Sequence, residues 1–255
     1  MSILRRFLLL LIFLTPWSLP AQPKAAPKDD TKVTVVVPLG AAPGKATKLT
    51  VRGLKLDNAV EVRFLDPEIK AKIVSKGKTP PVDKMLDVNK MGDTQVVLEV
   101  TLPAGFSAET TAFQVLTSTR ETPVHHLLVN NDPALIQEKE PNNGFKQAQP
   151  IVVPQLVDGA IGGNQDVDVF RFEGKQGQKL ICEVLAARYG SPLDSILTLS
   201  DDQGRTVASN DDAVGADSKL EVALARSGTY FLTVIDAHDQ GSPAHVYRLV
   251  VREAK

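Results

Sequence analysis

SGTYFLTVID, Ser227–Asp236, is the stretch that decides the fold. Side chains alternate along a strand, so Tyr230, Leu232 and Val234 share one face and Phe231, Thr233 and Ile235 the other. Both faces are largely apolar, which places this strand inside a sheet rather than at its edge. A turn signal precedes it at Ser227-Gly228, and a polar run follows it from Asp236.

The same rhythm extends outward in both directions. Strands are predicted near 156–161, 167–173, 179–187, 195–200, 206–210, 219–223 and 246–252. Asp201-Asp202-Gln203-Gly204 separates two of them, a polar pair ending in a Gly that takes the positive-φ position cheaply. Earlier in the chain come Val33–Val37, Lys48–Gly53, Ala59–Leu65, Ala71–Ser75, Gln95–Leu102, Thr111–Ser118 and Val124–Val129. Short β-branched runs at this spacing, with no helix-length amphipathic segment, predict an all-β chain of two β-sandwich domains. Lys76–Gly92 breaks the rhythm with Pro80-Pro81 and scattered charges, and reads as a long surface loop with at most one turn of helix.

Several ordered motifs of the second half, EKEPNN (138–143), GNQDVDVFRF (163–172), GSPLDSILTLSDDQG (190–204), SNDD (209–212) and SGTYFLTVID, resemble the bacterial pre-peptidase C-terminal domain family. The resemblance runs over residues 138–252 and implies a jelly-roll type sandwich appended to secreted enzymes. In the first half, PLGAAPGKATKLTVRGLKLDNAVEVRF (38–64) is similar to immunoglobulin-like E-set domains of the IPT/TIG type. The expected organisation is a signal peptide at 1–21, a flexible leader at 22–31, the immunoglobulin-like sandwich at 32–130, a linker at 131–137 and the second sandwich at 138–252.

The N-terminus, MSILRRFLLLLIFLTPWSLPAQ, has basic Arg5-Arg6, an apolar run from Phe7 to Trp17 and small residues before Ala21. That run is too short to span a bilayer and reads as a cleaved secretory signal. The localisation expected is secreted or periplasmic, with no stable membrane anchor. Cys182 is the single cysteine, so no intrachain disulfide can form, and its place in KLICEVLAA predicts a buried, inert thiol. A formal net charge of −1 gives no global signal for nucleic acid. Charge is uneven nevertheless: residues 22–131 hold 15 Lys/Arg against 12 Asp/Glu, and residues 132–255 hold 12 against 18.

Catalytic patterns do not emerge. GSPLDS (190–195) lacks the GxSxG elbow and a following helix. His125 and His126 are adjacent in a strand and point to opposite faces, while His238 and His245 flank what reads as a solvated hairpin end. There is no HExxH, no CxxC and no phosphate-cradling Gly loop. A non-catalytic protein is the reading that remains.

Metal chemistry is the exception. Glu138, Glu140, Asn142 and Asn143 place hard oxygens at near-alternate positions of an extended segment, and Asp166 and Asp168 sit two apart before the strand VFRF. Calcium takes six to eight such oxygens at flexible spacing. By resemblance to related collagen-binding modules, calcium would bridge these two groups, with Asn164 and Gln165 standing where further acids would be expected. The same residues also read as a plain turn whose Asn side chains cap backbone groups. The remaining acids, Asp201, Asp202, Asp211, Asp212 and Asp217, with Asn210, read as solvated hairpin ends. Aromatics are 5% of the chain and the single Trp, Trp17, lies in the signal, while Tyr189, Tyr230 and Tyr247 are expected to pack. The expected function is therefore binding or scaffolding, with calcium as a structural cofactor and a protein or polysaccharide at the cell surface as partner. The alternative is an accessory subunit or targeting module of a secreted peptidase.

Overall fold

The computed structural model describes residues 31–80 and 86–254, so the expected signal peptide at 1–21 and most of the expected leader at 22–31 lie outside the described residues. The first half contains β1 (Lys32–Val37), β2 (Gly40–Ala41), β3 (Ala46–Leu54), β4 (Ala59–Phe64), β5 (Lys70–Lys78), a short helix α1 (Val88–Met91), β6 (Thr94–Thr101), β7 (Thr110–Thr117) and β8 (His125–Val129). They form two four-stranded sheets, ordered β1-β3-β6-β5 and β2-β8-β7-β4. Leu49 and Val51 of β3 and Leu98 of β6 face Phe113 of β7 and Leu127 of β8 in a water-free layer between the sheets. Period-2 alternation of β-branched residues builds that layer, since only one face of each strand can enter it.

The second half contains β9 (Leu135–Gln137), β10 (Gln149–Pro150), β11 (Gln155–Ala160), β12 (Asp168–Gly174), β13 (Lys179–Leu185), a 3₁₀ turn at Ala187–Tyr189, β14 (Ser195–Asp201), β15 (Thr206–Asn210), β16 (Lys219–Ala223), β17 (Gly228–Asp236) and β18 (Val246–Glu253). Two five-stranded sheets, β10-β12-β17-β14-β15 and β16-β13-β18-β11-β9, enclose a core that includes Phe170, Leu232, Val234, Leu199, Cys182 and Leu249. As its two apolar faces predict, β17 is the central strand of its sheet, with Tyr230, Leu232 and Val234 on the buried side. Cys182 is fully buried, and burial pushes its thiol up to about 12, so it stays protonated and inert.

Three differences from the sequence reading are physical. Leu135–Gln137, expected to be linker, pairs in parallel with β11 and caps one edge of the sheet. The strand expected to end at Ser75 continues to Lys78 through a bulge between Ile73 and Ser75, because its lysines suit an exposed edge. Asp201 and Asp217 were expected to be solvated but are buried, as their carboxylates accept local hydrogen bonds. Asp217 takes the N–H groups of Ala186 at 3.1 Å and Ala187 at 2.6 Å, and Nε of Arg188 at 2.7 Å. Asp201 takes those of Gln203 and Arg205.

The halves share a third apolar cluster. Val35, Leu39, Leu86, Met91 and Leu128 of the first half meet Ala244 and Val246 of the second, with Ala160, Leu185 and Tyr189 packed alongside. Gly190, at φ +85, sits in this junction, where a Cβ would collide with the Thr34 carbonyl oxygen and with His125.

Candidate metal centre

The EKEPNN segment leaves β9 and folds back over the end of β12. Glu138 is fixed from both sides: its N–H donates to the Asp158 carbonyl at 2.9 Å, and its Oε2 accepts the Ala160 N–H at 2.8 Å. Gly159 makes this approach possible, since a Cβ there would lie 2.6 Å from Glu138 Oε2. Lys139 N–H donates to Gln149 Oε1 at 2.7 Å, and a cis peptide joins Glu140 to Pro141. Asn142 is then fully buried, with its carbonyl accepting the Val169 N–H at 3.1 Å.

Glu138, Glu140 and Asp168 converge so that one carboxylate oxygen from each lies within 4.8 Å of the others. Asp168 is fully buried and forms the floor, Glu138 is half-buried, and Glu140 is exposed at the mouth. No Lys or Arg is hydrogen-bonded or ion-paired to any of the three among the described residues. Asn142 Nδ2 donates to Glu138 Oε1 at 2.9 Å, Asn142 N–H to Glu140 Oε2 at 3.0 Å, and the Tyr247 hydroxyl to Asp168 Oδ2 at 2.7 Å. Two buried oxygens, Asn142 Oδ1 and Asp168 Oδ1, have no hydrogen-bond partner. An orphaned buried acceptor carries the full desolvation penalty of the group.

The electrostatics follow from that crowding. Burial, then the Glu138 carboxylate, push the Asp168 carboxyl up to about 9. Burial, then the neighbouring Asp166 and Glu138 charges, also raise Glu140, against one backbone hydrogen bond from Asn142. Tyr247 is held protonated, its phenol pushed well up by burial and the Asp168 and Glu138 charges.

The remaining two predicted residues pair with each other beside the cluster. Asn143 Nδ2 donates to Asp166 Oδ1 at 2.7 Å, and Asp166 also accepts the N–H groups of Gly162 at 2.7 Å and Val167 at 3.0 Å. Tyr247 and Gly159 belong to the site but were not singled out from sequence, where Tyr247 read only as a packing residue. Nothing in its strand VYRLVV distinguishes its hydroxyl, and Glu138 lies 109 positions away.

The histidines do not join this centre. His125 packs against Phe113 with ring centroids 5.6 Å apart, and His245 is buried with Nδ1 2.9 Å from Ser242 Oγ, not at a solvated hairpin end as expected. His126 and His238 are exposed.

Comparison with known proteins shows what the chain is similar to. The chain is 31% identical over 214 residues to a probable subtilase-type serine protease of Deinococcus radiodurans, covering 80% of this chain and 28% of that protease. Among solved structures, the pre-peptidase C-terminal domain of a Bacillus anthracis collagenase aligns along its whole length with 44% of this chain, at 21% identity and a TM-score of 0.36. SGBP-B of a Bacteroides ovatus mixed-linkage glucan utilization locus aligns at 9% identity over 77% of this chain and 71% of its own, with a TM-score of 0.27. Residues 166–236 match the family model of the bacterial pre-peptidase C-terminal domain.

Proposed function

We propose that the chain is a secreted or periplasmic, non-catalytic module whose second sandwich is locked by a calcium ion. One observation carries the metal reading: the buried Asp168 Oδ1 and Asn142 Oδ1 have no partner, in a cluster of carboxylates to which no cationic side chain is paired among the described residues. The donor set is all hard oxygen, which suits calcium and offers nothing to a soft metal. Asp168, Glu138, Glu140 and Asn142 would hold the ion, while Asp166 and Asn143 would shape the rim. A divalent cation supplies positive charge where burial otherwise forces Asp168 to keep a proton. The chain's own residues do the positioning: Ala160 N–H holds Glu138, and Tyr247 orients Asp168. Because the segment that delivers Glu138 and Glu140 also enters the sandwich, the ion would tie the linker to the domain.

The test is thermal unfolding of the full chain in excess EDTA against millimolar Ca²⁺. At about 100 times the dissociation constant, a ligand adds roughly 2.7 kcal/mol, a rise of several degrees in midpoint. Identical midpoints would leave the segment as a turn only.

The partner we favour is a protein or polysaccharide at the cell surface. The peptidase relative favours a second reading, an accessory or targeting module of a secreted peptidase, although this chain spans only 28% of that relative. Pull-down from a periplasmic or extracellular fraction separates the two: a co-purifying peptidase supports the accessory role, and retention on cell-wall glycan supports surface binding.

A further inference from the structure

The sheet of the second sandwich that meets the first half carries a cleft on its outer face. Val157, Leu249 and Val251 point into the core, so the alternate residues Leu156, Arg248, Val250 and Arg252 lie on the opposite side. Burial falls along β18, from buried Arg248 through half-buried Val250 to exposed Arg252. The first half covers the Arg248 end, where Asn130 and the shared apolar cluster meet it, and a cleft of about 700 Å³ lies beside that cover. Leu156, Leu185 and Val250 give the cleft an apolar lining, and Glu109, Asn131 and Asp132 line it from the first half and the linker.

Polar groups of both signs converge there. Arg188, Arg248 and Arg252 line the cleft together with Glu109, Asp132 and Glu183, so the charges balance. Arg248 is fixed by Asp158 through Nε at 2.6 Å and Nη2 at 2.9 Å, and by Asn130 Oδ1 at 2.6 Å. Arg188 is fixed by Asp217 and Glu183, each at 2.7 Å. The Tyr189 hydroxyl has no hydrogen-bond partner among the described residues and is not closed off from water. Burial raises its phenol, the Arg188 and Arg248 charges act against that rise, and Asp217 and Glu109 act with it. One free hydroxyl therefore stands among guanidinium groups and carboxylates that are already held in place.

That chemistry selects a ligand. Balanced charge favours neither a polyanion nor a polycation. The floor is the face of a sheet, whose backbone groups are engaged in the ladders, so an extended peptide finds no main-chain partners on it. Guanidinium, carboxylate and carboxamide groups each set two donors or two acceptors side by side, the pattern that meets neighbouring hydroxyls. The aliphatic strip suits the C–H face of a ring, and side chains fixed beforehand lose little freedom on binding. A neutral molecule with hydroxyls on its rim and C–H groups on its face is a carbohydrate.

We propose that this cleft binds a neutral oligosaccharide, with Glu109, Tyr189 and Arg252 holding hydroxyls and Leu156 and Val250 under the sugar ring. The proposal rests on the surface-binding reading and narrows its partner to one chemical class. It shares no residue with the carboxylate cluster.

The experiment applies the full chain to an oligosaccharide array carrying neutral, sialylated and sulfated members. Expected is binding concentrated in the neutral members and unchanged in EDTA. The double variant Glu109→Gln with Arg252→Ala alters two exposed side chains, so it should keep the parent's melting midpoint and bind the best neutral member about tenfold more weakly. Tyr189→Phe removes one hydroxyl, keeps the ring at the junction and should weaken binding about threefold; it decides alone if the double variant melts lower. No binding, binding confined to sialylated or sulfated members, loss of binding in EDTA, or parental affinity in either variant overturns the proposal. Retention on cell-wall glycan that the double variant keeps in full leaves surface binding standing and overturns the cleft as its site. If Glu109 and Arg252 instead control capture of a protein, the cleft is a protein interface and the proposal falls.

Discussion

Tyr247 on β18 donates its hydroxyl proton to Asp168 Oδ2 on β12 at 2.7 Å, joining the two facing sheets of the second sandwich through their interior. One phenol can donate only one hydrogen, and it satisfies one of the two carboxylate oxygens. The other, Asp168 Oδ1, stays orphaned against Glu138. The pair is therefore a strut that leaves a negative pole facing the linker, and proton or cation must complete it.

That incompleteness predicts the pH behaviour. Without metal, Asp168 titrates near 9 in the folded chain against 3.8 as its ordinary value, so the folded chain holds the extra proton between those limits. Its contribution is present below 3.8 and lost as pH rises towards about 9. Calcium requires the ionised form, so binding at pH 7 should release about one proton per ion. Titration calorimetry in buffers of different ionisation enthalpy measures this: heats independent of buffer would show that Asp168 is already ionised.

Asp168→Asn separates repulsion from ligation. The amide oxygen still accepts from Tyr247, and folding no longer requires this side chain to take up a proton. In EDTA at pH 8 the variant should be more stable than the parent by about 1–3 kcal/mol, the scale for relieving an unpaired buried polar group. In millimolar Ca²⁺ that order should reverse. Urea midpoints in the two conditions decide it, and a variant less stable in both would mean the carboxylate supports the fold without metal.

The strands were legible because each carries its own alternation, and β17 could be placed at the centre from YFLTVID alone. The closeness of Glu138, Glu140 and Asn142 was legible for a related reason: short spacing in an extended segment keeps donors together. Tyr247 and Gly159 were not, since their importance comes from partners contributed by distant strands. Local polarity also misled at Asp217 and His245. The sequence shows a polar loop residue, and only the fold shows that backbone N–H groups gather around Asp217 and that Ser242 partners His245.

His125 gives an opposite pH response. It lies in the junction below Gly190, where burial first and the neighbouring His126 second lower its imidazole from 6.5 to about 4, against a hydrogen bond donated to the Tyr189 backbone. The unfolded chain takes up this proton near 6.5 and the folded chain only near 4, so stability is present above 6.5 and lost as pH falls towards 4. The full effect is about 3 kcal/mol. Because Asp168 works the other way across the same window, the measurement is a difference. Subtracting His125→Gln from the parent in EDTA should isolate a loss between pH 6.5 and 4, and parallel curves would place the imidazole in contact with water.

The division of the chain can be tested at the shared cluster. We expect a boundary between Asn130 and Glu138, and the second sandwich has a core of its own around Phe170, Leu232 and Leu249. A chain beginning at Asp132 keeps β9, the whole carboxylate cluster and the Arg248–Asp158 pair, whose contacts are 2.6 and 2.9 Å. It loses the Asn130 acceptor for Arg248 and uncovers Ala244, Val246, Leu185 and Tyr189, which pack on the first half. This shorter chain should unfold cooperatively, but at a lower temperature than the same transition in the full chain, by about 4 °C for each kcal/mol lost at the junction. Its calcium response should be unchanged, because every proposed ligand lies beyond position 137. Scanning calorimetry with and without Ca²⁺ checks both statements. A cooperative transition that responds to calcium makes the second sandwich a self-sufficient unit, whereas a chain with no transition would make the two halves one folding unit built around Val35, Leu128 and Val246.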